Sequence, residues 1–308
     1  MSDSPAVLLV GPGAMGCLHA ALLAEAGLPV TLLDHRPERA ALISAQGVRL
    51  VLPDGPERTV AVPCTADAAP LFPADLVLIF TKAYDTAAAA ETARPAVGPD
   101  TTVLTLQNGL GNYEVLQQAF TPAQVLAGTT PSGATLLAPG RVRLAGRGEI
   151  TLGSPAGDRT RAEAAAKLLR RGRLAVTVTD DPDAALWRKA IVNAAINPLG
   201  ALTRRRNGEL LEQEGLRALL GEVAHEAHRV AVAHASALAD LDPVAAVEQV
   251  CRVTAVNQCS MLQDVLAGRR TEIQQINGEI VRRGQAVGLS TPLGVTLTAL
   301  VEALGQSG

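Results

Sequence analysis

Aromatic side chains are nearly missing from this chain: three Phe, two Tyr and one Trp amount to 2% of its 308 residues. A core must therefore be filled by aliphatic side chains. Cysteine is scarce too. Cys17, Cys64, Cys251 and Cys259 include no C-x-x-C pair, which argues against a disulfide framework or a cysteine zinc site and predicts reduced, mostly buried thiols. Neither sign of charge dominates, with 27 Lys and Arg against 30 Asp and Glu. The chain thus carries no overall pull toward nucleic-acid phosphates or anionic lipid, and neither is expected as a partner. Two short basic clusters, Arg170, Arg171 and Arg173, then Arg204, Arg205 and Arg206, read as solvated surface, with steering of a small anion as the alternative. No apolar stretch reaches the ~18 residues of a membrane span. The chain enters an apolar strand within six residues of its first Met, so a cytoplasmic protein without a secretory leader is expected.

What is present is the composition of a packed globular protein, 48% hydrophobic and 19% charged. Its length suits about two domains. Residues 6–10 form a fully apolar run, a helical stretch covers 15–26, and a second apolar run covers 29–33 with Asp34 just beyond, which together make a βαβ unit. Further strands are predicted at 48–52, 76–80, 103–106, 124–127, 149–152 and 174–178, and a hairpin at 134–138 and 141–145 around Pro139 and Gly140. The fold class read from this order is α/β, an N-terminal Rossmann-type dinucleotide-binding domain over 1–179 followed by an all-helical domain over 180–308.

Asp181 before Pro182 and Asp183 opens the first helix of the second domain, and Pro198 is expected to end it at Asn197. Further helices are predicted at 209–235, 244–257, 261–267, 272–286 and 292–304. Thr271 and Gln274 have the capping-box form, which puts Glu272 in a first helical turn near solvent or a cleft. A mostly helical second domain with a long apolar helix suits a homodimer.

Gly11, Gly13 and Gly16 form G-x-G-x-x-G between a buried strand and a helix, with Ala14 and Met15 inside the loop. In that context the glycines are expected to serve a tight turn, a close approach of backbone to pyrophosphate, and close helix packing, with a tight glycine turn that binds no ligand as the plain alternative. Asp34, 18 residues past Gly16, is placed to bind the adenosine ribose and to repel a 2′-phosphate, which favours NAD. His35, Arg36 and Arg39 lie close by and could bind that phosphate instead, so both dinucleotides stay open. Lys82 and Asn108 fall at carboxyl ends of strands, where open α/β sheets bind ligands.

Lys189, Asn193 and Asn197 are spaced i, i+4, i+8 and share one helix face. A solvated stripe is the plain alternative; beside a cofactor, such a lysine can polarise a carbonyl and deliver a proton as hydride arrives. Ser260 and Glu272 could bind the two ends of a substrate with acceptor and donor groups; taken singly, an ordinary helix cap is the plain alternative for each. His225 and Glu226 begin something like H-E-x-x-H, but the next histidine, His228, comes one position early, and no metal is expected.

Taken in order, these residues resemble the ketopantoate reductase family (2-dehydropantoate 2-reductase). The resemblance covers most of the chain: Gly11 to Gly16, Thr81-Lys82-Ala83-Tyr84, Gln107-Asn108-Gly109, Trp187-Arg188-Lys189 through Asn197-Pro198, Asn207-Gly208-Glu209, and Ser260-Met261-Leu262-Gln263-Asp264 through Thr271-Glu272-Ile273. It implies a Rossmann domain joined to a helical domain with the active site in the cleft between them. It also implies reduction of the keto group of 2-dehydropantoate to (R)-pantoate with NADPH, on the route to pantothenate and coenzyme A. By the same resemblance Lys189 is the general acid, and Glu272 grips and orients the substrate. Asn193, Asn197 and Ser260 are substrate ligands, Asn108 meets both substrate and cofactor, and Lys82 and Glu272 complete the cofactor contacts. Asn207 matches a further family position.

Three departures stand out. Asp34 and His35 occupy positions where the family often has an uncharged residue and a phosphate-reading arginine, leaving Arg36 as a substitute and NADH as a possible cofactor. Cys259 replaces the first serine of a common Ser-Ser pair, and Gly294 stands where Thr-Pro-x-Asn is usual. A reductase of a different 2-keto acid on the same fold is the first alternative. A dinucleotide-sensing protein without turnover is the second.

Overall fold

Apolar runs of four residues, too short for helices, supply the inner strands of the first half of the chain. The computed structural model describes residues 5–52 and 55–305. In chain order it begins with β1 (Val7–Val10), α1 (Ala14–Glu25), β2 (Val30–Leu33), α2 (Pro37–Gln46), β3 (Val48–Val51), β4 (Arg58–Val60), β5 (Cys64–Thr65) and β6 (Leu76–Ile79). There follow α3 (Thr86–Ala93), β7 (Thr102–Thr105), α4 (Asn112–Ala119), β8 (Val125–Thr129), β9 (Gly133–Ala138), β10 (Arg141–Gly146), β11 (Ile150–Gly153), α5 (Arg159–Arg171) and β12 (Val176–Val178). The chain divides into two units. One runs to Gln107 and resumes from Asn112 to Pro182; the other joins Asn108–Gly111 to the chain from Asp183.

Eight strands of the first unit form one sheet in the order β12-β11-β8-β7-β6-β1-β2-β5. From β8 to β5 every pairing is parallel, and only β11 runs antiparallel to its neighbour β8. Successive side chains alternate between two buried layers, Val7 and Leu9 with Leu32, Leu78 and Leu104, Leu8 and Val10 with Leu33, Val77, Ile79 and Val103. Both faces of a parallel sheet must be covered, which is why the inner strands β1 and β6 are apolar on both sides. The α/β architecture expected from the sequence is present.

The strand predicted at 48–52 does not join that sheet. β3 belongs to a second sheet of order β4-β3-β10-β9, pairing in parallel with one arm of the predicted hairpin, which turns at Gly140 with φ +69°. Its burial explains the difference: Val48 and Leu50 are buried while Arg49 and Val51 are half-buried, so only one face meets a core. α1 packs between the two sheets and is apolar nearly all round, since a helix with two packing surfaces needs no polar face.

The second unit contains α6 (Pro182–Thr203, its first residue closing the first unit), α7 (Glu214–His234), α8 (Pro243–Val253), α9 (Ser260–Leu266), a π-helical turn at Gln274–Gly278, α10 (Glu279–Ala286) and α11 (Pro292–Gly305). α6 starts as predicted but does not end at Asn197. It runs through Pro198 to Thr203 and stops at Arg204, which adopts φ +56°. Pro198 has no N–H for the carbonyl of Ala194. The side-chain amide of Asn277 donates to that buried carbonyl instead, at 3.0 Å, so the helix continues across its missing bond. The helix predicted at 209–235 begins only at Glu214, after a tight turn at Gly208–Leu210, and the one predicted at 244–257 ends at Val253.

α7 packs on α8, α10 and α11 through Leu220, Val223, Ala224, Ala227, Val230 and Ala231, the spacing of a helical stripe. Glu226 lies in that stripe and caps α11, accepting the backbone N–H of Leu293 at 3.0 Å and of Gly294 at 2.6 Å. His228 Nε2 lies 2.8 Å from the carbonyl of Leu238. The Glu226 and His228 side chains are thus committed to helix packing. Among the described residues no group of three His, Cys, Asp or Glu could hold a metal, and no helix is long and apolar enough to cross a membrane.

Candidate active site

The first unit forms a tight glycine loop where β1 runs into α1. Gly11 has φ +94°, and a Cβ there would lie 2.8 Å from the backbone nitrogen of Thr81. A Cβ on Gly16 would stand 2.1 Å from the carbonyl oxygen of Gly11, so the third glycine lets the helix close onto the loop. Gly13, the N-cap of α1, behaves differently: nothing lies within 4 Å of its notional Cβ, and it offers no side-chain cap. The first-turn N–H groups, including those of Ala14 and Met15, have no helical acceptors and face this open space at the positive end of the helix. That is the arrangement a dinucleotide pyrophosphate requires.

Beneath the loop, His19 is buried; its Nδ1 donates to the carbonyl of Met15 at 2.9 Å and its ring stacks on Phe80. Burial pushes its pKa down to about 4, so the imidazole is neutral and packs as an aromatic.

Asp34 sits just beyond β2, as the βαβ pattern requires, but its side chain is 0% exposed. Both carboxylate oxygens are engaged by the Arg39 guanidinium, through Nε to Oδ2 and through a 2.7 Å bond to Oδ1. Oδ1 also accepts the backbone N–H of Arg36 at 3.1 Å. The carboxylate expected to reach a ribose is therefore covered and paired. His35 and Arg36 are exposed alongside, with Arg36 Nε 3.3 Å from His35 Nε2.

Lys82 follows β6 by three residues, and the strand end is held by a buried polar network that sequence reasoning did not assign. Gln107 Nε2 donates to the carbonyl of Thr81 at 2.9 Å and to the Thr86 hydroxyl at 3.0 Å, and the Thr105 hydroxyl donates to Gln107 Oε1 at 2.8 Å. Thr86 in turn donates to the carbonyl of Ala83. The only sequence signal for this network is a glutamine directly after an apolar strand.

In the second unit Lys189, Asn193 and Asn197 do line one side of α6. Asn197 is buried, and Lys189 and Asn193 are half-buried, so a fully solvated stripe is not what forms. Burial pushes the Lys189 amine down from 10.5 to about 8, and the carboxylate of Glu272 opposes part of that fall. Lysine and glutamate are thus close enough to couple. The backbone carbonyl of Asn197 accepts from the Cys259 thiol at 3.5 Å, and a Cβ on Gly200 would meet that sulfur at 2.9 Å. Cys259 also accepts the N–H of Leu262, doing as N-cap of α9 what a serine would do. Ser260, first residue of α9, is exposed.

Of the two surroundings expected for Glu272, solvent or a cleft, open solvent is not what the structure shows, and the residue stands just before the helical segment instead of in its first turn. It is 6% exposed and precedes the π-helical turn, its backbone carbonyl accepting from Gln275 and Ile276. The reciprocal cap with Thr271 gives way to a 2.6 Å bond from Gln274 to Glu302. Asn108–Gly111 docks on this same turn: Leu110 N–H donates to the carbonyl of Gln275 at 2.9 Å, and a Cβ on Gly109 would lie 2.4 Å from that oxygen. Asn207 plays a scaffolding part, its Nδ2 donating to Thr254 at 2.8 Å.

Known proteins match the chain from end to end. The family model described as ketopantoate reductase PanE/ApbA matches residues 7–157, and the model of that family's C-terminal part matches residues 181–305. A 2-dehydropantoate 2-reductase of Halobacterium salinarum is 38% identical over 304 residues, covering 98% of this chain and 99% of that protein. The crystal structure of a PanE/ApbA family ketopantoate reductase from Ralstonia eutropha aligns with TM-score 0.86 at 33% identity, over 97% of this chain and 98% of that one. A D-mandelate dehydrogenase in ternary complex with NADH and anilino(oxo)acetate aligns with TM-score 0.91 at 28% identity, over 98% of each chain.

Proposed function

The chain belongs to the ketopantoate reductase family, and from that premise we propose that it reduces the C2 ketone of 2-dehydropantoate to (R)-pantoate with NADPH. The observation that carries the reading is Lys189: a half-buried amine on one helix face with Asn193 and Asn197, coupled to a buried carboxylate, its pKa lowered to about 8.

A bound nicotinamide dinucleotide supplies the hydride. Gly11, Gly13, Ala14, Met15 and Gly16 hold its pyrophosphate, a role supported by the open space at Gly13. Arg36 and His35 would receive the 2′-phosphate, supported by their exposure and by the pairing of Asp34 with Arg39, which offsets the negative charge that would repel it. Lys82, Asn108 and Glu272 complete the cofactor contacts.

Lys189 gives its proton to the ketone oxygen as carbon takes up hydride; one N–H bond breaks, one O–H bond forms and the amine is left neutral, the form that burial favours. Glu272 orients the substrate, and Asn193, Asn197, Asn108 and Ser260 offer the donors that a keto acid's carboxylate and hydroxyl need. The reaction belongs in the cytoplasm, where the buried free thiols Cys17, Cys64, Cys251 and Cys259 would stay reduced.

Steady-state assay with 2-dehydropantoate tests this directly. Ketone-dependent oxidation of NADPH is expected, and Lys189→Ala should cut turnover by ~10² or more. Absence of any ketone-dependent oxidation defeats the assignment and leaves a dinucleotide-binding protein. The likeness to D-mandelate dehydrogenase favours one second reading, a different 2-oxo acid on the same machinery. A higher kcat/KM for an aryl 2-oxo acid than for 2-dehydropantoate would select it.

A further inference from the structure

Pro198 lies inside α6, one residue beyond Asn197, and cannot supply the N–H that the carbonyl of Ala194 would ordinarily accept. That carbonyl is one residue from Asn193, and Ala194 is 1% exposed, so water cannot replace the bond. The missing donor comes from another segment. Asn277, also 1% exposed, points Nδ2 at the Ala194 oxygen from 3.0 Å, while its Oδ1 has no hydrogen-bond partner among the described residues.

Asn277 belongs to the π-helical turn Gln274–Gly278, and that turn adjoins three of the segments that carry the proposed substrate ligands. It begins two residues after Glu272; its Gln275 carbonyl holds Leu110 N–H and so the Asn108–Gly109 backbone; and Asn277 holds α6 midway along the face bearing Lys189, Asn193 and Asn197. Isolated π-helical turns recur at functional sites.

We propose that Asn277 is a positioning residue for the reductase reaction: its amide replaces the N–H that Pro198 lacks and thereby ties the helix carrying Lys189, Asn193 and Asn197 to the turn that follows Glu272. This rests on the ketopantoate reductase reading given above. The proline creates a vacancy in the helix, and a side chain on the neighbouring turn fills it, so the relative placement of the lysine and the glutamate is set by one buried hydrogen bond.

The proline makes the tie separable from mere satisfaction of the carbonyl. In Pro198→Ala the helix regains its own N–H donor to Ala194 while the second lone pair of that carbonyl still accepts the Asn277 amide, so this variant, with Asn277 intact, is the reference. Asn277→Ala in the native background leaves the carbonyl bare and should lose both thermal stability and about tenfold or more in kcat. The double variant Asn277→Ala with Pro198→Ala satisfies the carbonyl from within the helix. It should recover the Tm of the reference yet keep the tenfold kcat loss with the dinucleotide KM unchanged, because the link to the turn stays broken. Should the single Asn277 variant fail to fold, the double variant against its reference decides alone.

Recovery of kcat together with Tm in the double variant would overturn the proposal and make Asn277 purely structural; so would a kcat within twofold of wild type in Asn277→Ala. If the wild-type protein itself shows no turnover of 2-dehydropantoate, the functional reading fails and the inference falls with it. An active wild type judges the inference by itself.

Discussion

Raising the pH should silence the reaction well below the point at which an ordinary lysine titrates. Burial lowers the Lys189 amine from 10.5 to about 8, which corresponds to about 3 kcal/mol disfavouring the charged form. At pH 7 the ammonium still outnumbers the neutral amine by roughly ten to one, and at pH 9 the ratio is reversed. If protonated Lys189 is the acid, kcat/KM for ketone reduction should fall about tenfold between pH 7 and pH 9, whereas a lysine titrating at 10.5 would lose only a few per cent.

A second substitution tests the direction of the shift. The Glu272 carboxylate raises the amine's pKa, so Glu272→Gln should move the alkaline limb to lower pH as well as weakening substrate binding. In Lys189→Arg the guanidinium stays charged but does not release its proton, so turnover should collapse and the residual rate should lack an alkaline limb near pH 8. The assay is initial-rate oxidation of NADPH with 2-dehydropantoate, kcat/KM against pH, with dinucleotide affinity followed separately. A limb centred near pH 10, or one unmoved by Glu272→Gln, would refute the reasoning.

Three other outcomes are expected. Gly13→Ala should fold normally, since its Cβ meets nothing within 4 Å, yet lose tenfold or more in dinucleotide affinity by calorimetry, whereas Gly16→Ala should fold poorly because its Cβ would lie 2.1 Å from the Gly11 carbonyl. Equal affinity loss with equal Tm for both would contradict the roles given to the loop. Arg39→Ala should uncover the Asp34 carboxylate and shift the NADPH-to-NADH ratio of kcat/KM toward NADH by tenfold or more; an unchanged ratio would show that Asp34 and Arg39 take no part in the choice. Burial pushes Cys17, Cys64 and Cys251 up to about 12 and Cys259 to about 11, against 9.0 in an unfolded chain. The unfolded state releases these protons first, so the stability they contribute is whole below pH 9 and drains away as pH rises through 9 to 12. Tm should drop across that window, and thiol reagents should react only as the chain unfolds.

Features that depend on neighbours in sequence are legible in the order of residues. The glycine loop, the apolar strands, the Pro139-Gly140 hairpin and the start of α6 at Pro182 each follow from conformational or hydrophobic preferences acting over a few residues. The i, i+4, i+8 spacing of Lys189, Asn193 and Asn197 needs only the helical period. Where those rules fail, a side-chain partner that they do not specify intervenes. Pro198 is a helix breaker by those rules, and Asn277, far away in sequence, supplies the bond that cancels the break. Asp34 reads as a ribose ligand from its place after β2, but Arg39 covers it. β3 reads as one more strand of the main sheet until its one-sided burial and its pairing with β10 remove it.

The linear order of residues is enough to settle which side chains could do the chemistry and which local shapes carry them, because period, turn and cap are short-range effects. Three-dimensional packing settles the protonation of Lys189, the covering of Asp34 and the survival of α6 past its proline. Each of these depends on how water is excluded and which side chain stands opposite, and neither desolvation nor side-chain pairing has a fixed spacing in the chain.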